Sequence, residues 1–140
     1  MELKVYSGTP TDAMKIRKKV FVDEQGFVDE LDELDKTAIC LVLYSERNTP
    51  VATCRAYRIE NTDNFVLGRL AVVKEFRGQF LGTKLVKEME NQVRSLGGKR
   101  ILIHSQYHAR GFYGTLGYTE NGEPEEEQGH LHVWMKKELN

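Results

Sequence analysis

The middle of this 140-residue chain combines a buried strand, a glycine-containing turn and an amphipathic helix in direct succession. Residues 65–73 are apolar at nearly every position, which is typical of a central strand that is covered on both faces. A helical stripe of apolar residues follows and ends at Gly97-Gly98: Leu81, Leu85, Met89, Val93 and Leu96. This strand–turn–helix unit predicts a mixed α/β fold.

The rest of the chain adds further strand and helix signals around this unit. Strands are predicted at residues 3–6, 38–44, 51–59, 100–104, 118–120 and 132–135, and helices at 13–20 and 109–116. The acidic segment 23–36 has no regular period, which predicts a loop with one short helical turn. Its run Asp29, Glu30, Asp32, Glu33 and Asp35 is typical of a solvated loop, although it could attract a cationic amine. Residues 123–127 are predicted as a second acidic turn.

The composition limits the classes of partner. The 20 Lys and Arg residues nearly balance 21 Asp and Glu residues, so no positive excess favours nucleic acid or an anionic membrane. The chain shows no signal-peptide pattern and no apolar run long enough to cross a bilayer. We therefore expect one cytoplasmic domain over residues 1–140.

A metal site is not expected. His130 and His132 would share one strand face but lack a third ligand nearby, and Cys40 and Cys54 have no ligand spacing. Both cysteines lie in apolar strand-like runs, where Cys usually behaves as a small buried hydrophobe.

The turn in segment 72–83 is a candidate phosphate site. Backbone N–H groups at a helix start, together with the helix dipole, attract anions, and Arg77 adds a full positive charge. The Gly-Lys-Ser/Thr of the ATP/GTP loop and the dinucleotide fingerprint G-x-G-x-x-G are both absent. On spacing alone, an ordinary strand-to-helix turn with a surface arginine is an equal alternative.

Four motifs resemble those of one known family, the GNAT N-acetyltransferases. Arg77-Gly78-Gln79-Phe80-Leu81-Gly82 resembles the family's pyrophosphate loop, Gln/Arg-x-x-Gly-x-Gly/Ala. Ser105-Gln106 followed by Phe112-Tyr113-Gly114-Thr115-Leu116-Gly117-Tyr118 resembles its Phe-Tyr-x-x-x-Gly-Phe/Tyr segment. Val20-Phe21-Val22-Asp23-Glu24-Gln25 and His132-Val133-Trp134-Met135 resemble the ElaA/YjcF-like branch. The motifs stand in the family's order and cover nearly the whole chain.

Phe80 departs from the family pattern, because it occupies the usual place of the loop's middle glycine. A bulky side chain limits how closely backbone can approach phosphate. We expect the phosphate cradle to persist if Phe80 keeps an ordinary helical conformation with its ring turned away.

The resemblance implies a single GNAT-type domain that binds acetyl-CoA. Its central sheet would be mixed and mostly antiparallel, with about six to seven strands, splayed at the cofactor cleft and flanked by about four helices. The implied acetyl-CoA contacts are Leu70, Ala71, Val72, Arg77, Gly78, Gln79, Phe80, Leu81, Gly82, Thr83, Gln106 and Phe112. The implied acceptor contacts are Phe21, Glu24, Gln25 and Arg69.

The implied reaction is direct transfer of the acetyl group to a primary amine. Tyr113 is the candidate acid for the departing thiolate; the alternative is that it only packs against Phe112. His132 is the candidate base, because histidine changes charge near neutral pH, but it could equally be a half-exposed strand residue. His104, Glu24 and a water chain are further candidates for the base.

Two non-enzymatic functions remain open at this point. The chain could be a non-catalytic acyl-CoA-binding module, or a protein-interaction module in which Phe80 blocks the loop. For the enzyme, a small-molecule amine is the favoured acceptor, and the family resemblance allows a homodimer.

Overall fold

One mixed sheet of eight strands runs through the computed structural model, which describes residues 1–140. Its strands are β1 (Glu2–Ser7), β2 (Ile39–Tyr44), β3 (Pro50–Arg58), β4 (Asn64–Val72), β5 (Arg100–Gln106), β6 (Thr119–Glu120), β7 (Glu125–Glu127) and β8 (His130–Glu138). The order is β1-β2-β3-β4-β5-β8-β6, and β7 also pairs with β8. Only β4 and β5 pair in parallel. The predicted mixed, mostly antiparallel α/β fold is therefore confirmed, with eight strands instead of six or seven.

Three α-helices and several short helical turns accompany the sheet. The α-helices are α1 (Thr11–Arg17), α2 (Leu81–Ser95) and α3 (Arg110–Thr115). A π-helical turn, Lys18–Glu24, continues α1, and 3₁₀ turns lie at Glu33–Lys36, Lys74–Phe76 and Tyr107–Ala109. The fold thus has one α-helix fewer than the family resemblance implied. No helix is both long and apolar enough to span a membrane.

The core lies between β2, β3 and β4 of the sheet and the apolar faces of α1 and α2. Leu85, Met89 and Val93 of the predicted stripe are fully buried, whereas Leu96 is half exposed beyond the end of α2. Gly97 follows with φ +81°, a left-handed conformation that suits glycine at a helix end. The predicted stripe therefore holds α2 against the sheet.

Three predictions about local structure were wrong. Residues 123–127 are not a plain turn, because Glu125–Glu127 form β7 and pair with β8 from Glu125↔His132 to Glu127↔His130. The first helix does not end at residue 20, since the π-helical turn carries it to Glu24. The central strand is not covered on both faces throughout, because Gly68, Arg69 and Leu70 are partly exposed and line a cavity. The 3₁₀ turn Glu33–Lys36 is the expected short turn in the acidic segment.

Candidate active site

The two parallel strands β4 and β5 separate halfway along their length. Their pairing runs from Asn64↔Arg100 to Leu67↔Ile103 and then stops, although both strands continue. A bulge in β4 begins at the same point. Arg55 of β3 pairs with Gly68, but Thr53 pairs with Ala71, so β4 carries one extra residue. Bulges bend a strand and increase its twist. The resulting gap opens a cavity of about 510 Å³ between the strands.

The cavity brings together nine candidate site residues from four separate parts of the chain. They are Phe21, Gln25, Arg69, Leu70, His104, Gln106, Phe112, Tyr113 and His132. The candidate acid and the candidate base therefore share one cavity. Glu24, Ala71, Val72 and residues 77–83 do not line it. Residues 77–83 instead form the loop and first turn at the start of α2.

The start of α2 leaves backbone donors free. The amide of Lys84 donates to the carbonyl of Phe80 and closes the first turn. The amides of Leu81, Gly82 and Thr83 have no partner within the helix, and no side chain caps this end. The first turn contains no acidic residue. This end of α2 therefore remains suited to an anion.

Phe80 does not have the ordinary helical conformation that we expected. Its φ of 60° and ψ of 26° place it in the left-handed region, and Gly78 precedes it with φ +81°. The ring is turned away from the protein, with 81% of the residue exposed. Phe80 therefore leaves the helix start open, at the cost of backbone strain.

Glu24 and Arg77 bind each other. The family resemblance implied that Glu24 contacts the acceptor and Arg77 contacts acetyl-CoA. Arg77 donates from Nη1 and Nη2 to the two carboxylate oxygens of Glu24, over 2.6 and 2.7 Å. Its Nε donates to the carbonyl of Val72 at 3.0 Å. These hydrogen bonds lower the pKa of Glu24. A carboxylate that is paired in this way is a weak candidate for the base.

Phe112 and Tyr113 pack beside the start of α2. A Cβ atom at Gly82 would lie 3.2 Å from Cζ of Phe112, so the missing side chain makes room for the ring. The Tyr113 ring meets Phe112 edge to face, with a centroid distance of 5.0 Å. Burial raises the pKa of Tyr113, which keeps its hydroxyl protonated at neutral pH. A buried protonated hydroxyl beside the cavity can act as a proton donor.

His132 is buried, not half exposed. Its Nδ1 lies 3.0 Å from the carbonyl oxygen of His130. A carbonyl only accepts hydrogen bonds, so in the neutral imidazole the proton lies on Nδ1 and the free lone pair on Nε2. The ring stacks on His104 at 4.9 Å, and His104 stacks on Trp134 at 4.6 Å. This geometry suits a proton acceptor at Nε2.

Carboxylates from β7 surround His104, the second histidine of the stack. Glu125 approaches its Nε2 at 3.2 Å, and Glu127 approaches its Nδ1 at 3.4 Å. Sequence reasoning missed both contacts, because it predicted residues 123–127 as a turn. The run of three glutamates has no apolar alternation, and all three are exposed, so no sequence signal indicated a strand.

Segment 25–29 lies across the gap between β4 and β5, where the sheet opens. Gln106 donates from Nε2 to Oε1 of Gln25 at 2.9 Å. The Phe27 ring stacks on His130 at 4.3 Å. The amide of Val28 donates to Oε1 of Gln128 at 2.9 Å, and the Gln128 side chain also donates to the Val28 carbonyl. This bridge partly covers the cavity and was not predicted.

The acidic segment is only partly the solvated loop that was predicted, since the side chains of Asp29 and Asp35 are buried whereas Glu30 and Glu33 are exposed. Arg17 donates to both oxygens of Asp29 at 2.8 Å and binds Asp35 at 2.8 and 3.3 Å. Arg55 donates to Asp32 and Asp35 at 2.8 and 2.7 Å. The sequence signal for this network was Arg55 within an otherwise buried strand, which needs acidic partners.

No group of three or more His, Cys, Asp or Glu side chains is placed to hold a metal ion. Cys40 and Cys54 are free and buried, and burial raises the pKa of each thiol. Both side chains therefore stay protonated within the core.

Known proteins resemble this chain in sequence and fold. A family model described as acetyltransferase (GNAT) domain matches residues 12–139. The Bacillus subtilis (strain 168) protein YyaT, itself uncharacterized, is 34% identical over 134 residues, which cover 92% of this chain and 88% of YyaT.

Solved structures show the same fold at lower identity. Escherichia coli ElaA superposes with a TM-score of 0.86 at 23% identity, over 97% of this chain and 98% of ElaA. An aminoglycoside 6′-N-acetyltransferase complexed with coenzyme A superposes with a TM-score of 0.76 at 17% identity, over 99% of this chain and 97% of that protein. The predicted membership of the GNAT family is thereby confirmed by the family model, and the chain belongs to the GNAT acetyltransferase family.

Proposed function

We propose that this protein transfers an acetyl group from acetyl-CoA to a primary amine. The separation of β4 from β5 carries this proposal. It leaves one edge of β4 without a partner strand, next to the free amides of α2 and to a cavity that contains Tyr113 and His132. Coenzyme A is bound by the related aminoglycoside 6′-N-acetyltransferase.

The groups present fit a CoA thioester. The free amides of Leu81, Gly82 and Thr83 would hold its diphosphate, as helix starts hold anions. The unpaired backbone of β4 at Leu70 and Val72 would bind the pantetheine amides as an added strand would. The exposed Phe80 ring leaves this path open. When bound, acetyl-CoA supplies the acetyl group as a reactive thioester.

His132 and Tyr113 would handle the two protons of the reaction. Nε2 of His132 would accept the proton that the acceptor ammonium loses before attack. The amine nitrogen then forms a bond to the acetyl carbon while the carbon–sulfur bond breaks. Tyr113 would give its proton to the departing thiolate. Each role contributes a factor of about 10²–10⁴ in typical enzymes.

Calorimetric titration with acetyl-CoA tests this proposal without knowledge of the acceptor. We expect saturable binding, with competition by adenosine 3′,5′-bisphosphate. Thr83→Glu should weaken binding, because its carboxylate would repel the diphosphate while it favours the helix start. Thr83→Gln, which has the same size without the charge, is the matched control. Absence of binding to folded wild-type protein would contradict the proposal and favour a protein-interaction module.

The partner and location belong to the same proposal. The acceptor would be a small-molecule amine, because the acceptor end of the cavity is partly covered by the bridge at segment 25–29. A cytoplasmic location and a homodimer both stay predictions.

A further inference from the structure

Two arginines lie side by side at the bulge in β4. Arg55 pairs with Gly68 across the β3–β4 ladder, and Arg69 is the next residue along β4. Both side chains line the cavity that also contains Tyr113 and His132. Arg69 has φ +53°, an unusual conformation for a residue within a strand. Strained backbone of this kind is common at functional sites.

Arg55 has hydrogen-bond donors that the protein leaves without partners. Both of its hydrogen bonds, to Asp32 and Asp35, come from Nη1. Its Nε is buried and has no partner. A guanidinium carries five N–H donors in a planar fork that matches a carboxylate. Buried donors without partners are rare in folded proteins.

The neighbouring carboxylates do not satisfy Arg69. Arg17 occupies both oxygens of Asp29 at 2.8 Å. The nearest contacts of Arg69 are longer, at 3.4 Å to Asp29 and 3.7 Å to Asp32. Burial and the positive charges of Arg55 and Arg17 lower the pKa of Arg69, and the two aspartates do not compensate for them. Arg69 makes no hydrogen bond to these aspartates, so its guanidinium donors are free to bind an added carboxylate.

From this arrangement we infer that the acceptor is an amino carboxylate, whose carboxylate binds Arg69 and Arg55 while its amine faces the acetyl group. This inference rests on the proposed acetyltransferase function. It argues against polyamines as the preferred acceptors, because Asp29 and Asp32, two of the three carboxylates that line the cavity, already bind Arg17 and Arg55. A free amino acid or a similarly small molecule is the expected class.

The test compares acetyl transfer to the common L-amino acids with transfer to their carboxamides. The carboxamide has nearly the same size but removes the negative charge and replaces one acceptor oxygen with an NH2 donor. Its ammonium also loses a proton more easily, which works against the expected result. We expect kcat/KM for the best amino acid to exceed that for its carboxamide by about tenfold. This is the factor expected when one charge-assisted hydrogen bond is lost. Arg69→Gln should abolish this preference through KM, and Arg69→Lys should keep part of it.

Arg94→Gln is the matched control, since Arg94 is exposed at the far end of α2. It should leave the preference unchanged. Equal or faster reaction of the carboxamides, or no transfer to either series, would overturn the inference. If succinyl transfer from succinyl-CoA is faster than acetyl transfer and is lost in Arg69→Gln, the inference is wrong. The arginines would then bind the carboxylate of the acyl group instead of that of the acceptor. A parallel acetyl-CoA titration separates these outcomes from failure of the proposed function, which would show no binding.

Discussion

Two hydrogen bonds join Arg77 to Glu24, which lie 53 residues apart in sequence. Arg77 lies in the loop before α2, and Glu24 is the last residue of the π-helical turn. The pair connects the loop that would bind the diphosphate with the segment that borders the acceptor end of the cavity. Because a phosphate and the Glu24 carboxylate would compete for the same guanidinium, the pair links the two ends of the site.

Glu24→Gln should strengthen acetyl-CoA binding, because it removes this competition. An exposed ion pair is worth about 0–1 kcal/mol, so the expected gain is up to about fivefold in Kd. Arg77→Ala should weaken binding, and the double variant should resemble Arg77→Ala alone. Calorimetric titration of the four proteins measures these effects. If Glu24→Gln strengthens acetyl-CoA binding equally in wild type and in Arg77→Ala, the ion pair does not control binding.

Tyr113→Phe should lower kcat by about 100-fold or more while acetyl-CoA binding stays unchanged, because the ring remains and only the proton donor is lost. Thiol release with a competent amine gives kcat, and titration gives Kd. Phe112→Leu is a control for packing beside Gly82 and should alter binding more than kcat. Unchanged turnover in Tyr113→Phe would remove this residue from the mechanism and favour the packing role.

His132→Gln should lower kcat most in the pH range above the protonation of histidine and below the pKa of the acceptor amine, where the amine needs a base and a neutral imidazole can supply one. The difference from wild type should shrink at high pH, because the amine is then neutral in solution. His130→Gln is the matched control, since it keeps the backbone carbonyl that orients His132. A deficit of the same size at every pH would indicate a structural role for His132.

Phe80→Gly should raise the free energy of unfolding by about 0.5–1 kcal/mol. The left-handed conformation costs a non-glycine residue about 1–2 kcal/mol, and the greater freedom of glycine in the unfolded chain offsets part of this. The exposed ring buries little surface, so its loss costs little. Urea denaturation measures the change, with Phe80→Ala as the control that keeps the strain. A destabilised Phe80→Gly would mean that the ring makes stabilising contacts.

Asp35→Asn should lower the free energy of unfolding at pH 7 by about 3–5 kcal/mol, because it leaves Arg17 and Arg55 partly unpaired in the protein interior. Burial by itself would raise the pKa of Asp35, but hydrogen bonds from Arg17, the Asp32 amide and Arg55 outweigh it and hold the pKa well below its usual range.

The same carboxylate predicts a pH dependence. A lowered pKa in the folded state contributes stability that is complete above the unfolded value, near 4, and is lost as the pH falls further. Wild type should therefore lose stability below about pH 4 more steeply than Asp35→Asn. Glu33→Gln, which removes an exposed carboxylate from the same 3₁₀ turn, should not change the slope. If wild type and Asp35→Asn lose stability equally as the pH falls, Asp35 is not the source of this pH dependence.

The sequence by itself determined the mixed α/β fold, the α2 stripe and the glycine-containing helix start. These features depend on local periodicity and on turn chemistry, which neighbouring residues specify. It also indicated the candidate proton donor and acceptor of the cavity, because Tyr113 and His132 stand in recognisable motifs.

Only the tertiary structure decided which of these groups meet. The Arg77–Glu24 pair, the arginine–aspartate network and the contact of β7 with His104 join residues that are far apart in sequence or depend on strand register. The left-handed conformation of Phe80 could not be predicted from the sequence either, because packing elsewhere in the fold offsets the free-energy cost of a strained backbone. Charged residues that look solvated along the chain become buried once folding supplies them with partners of opposite charge.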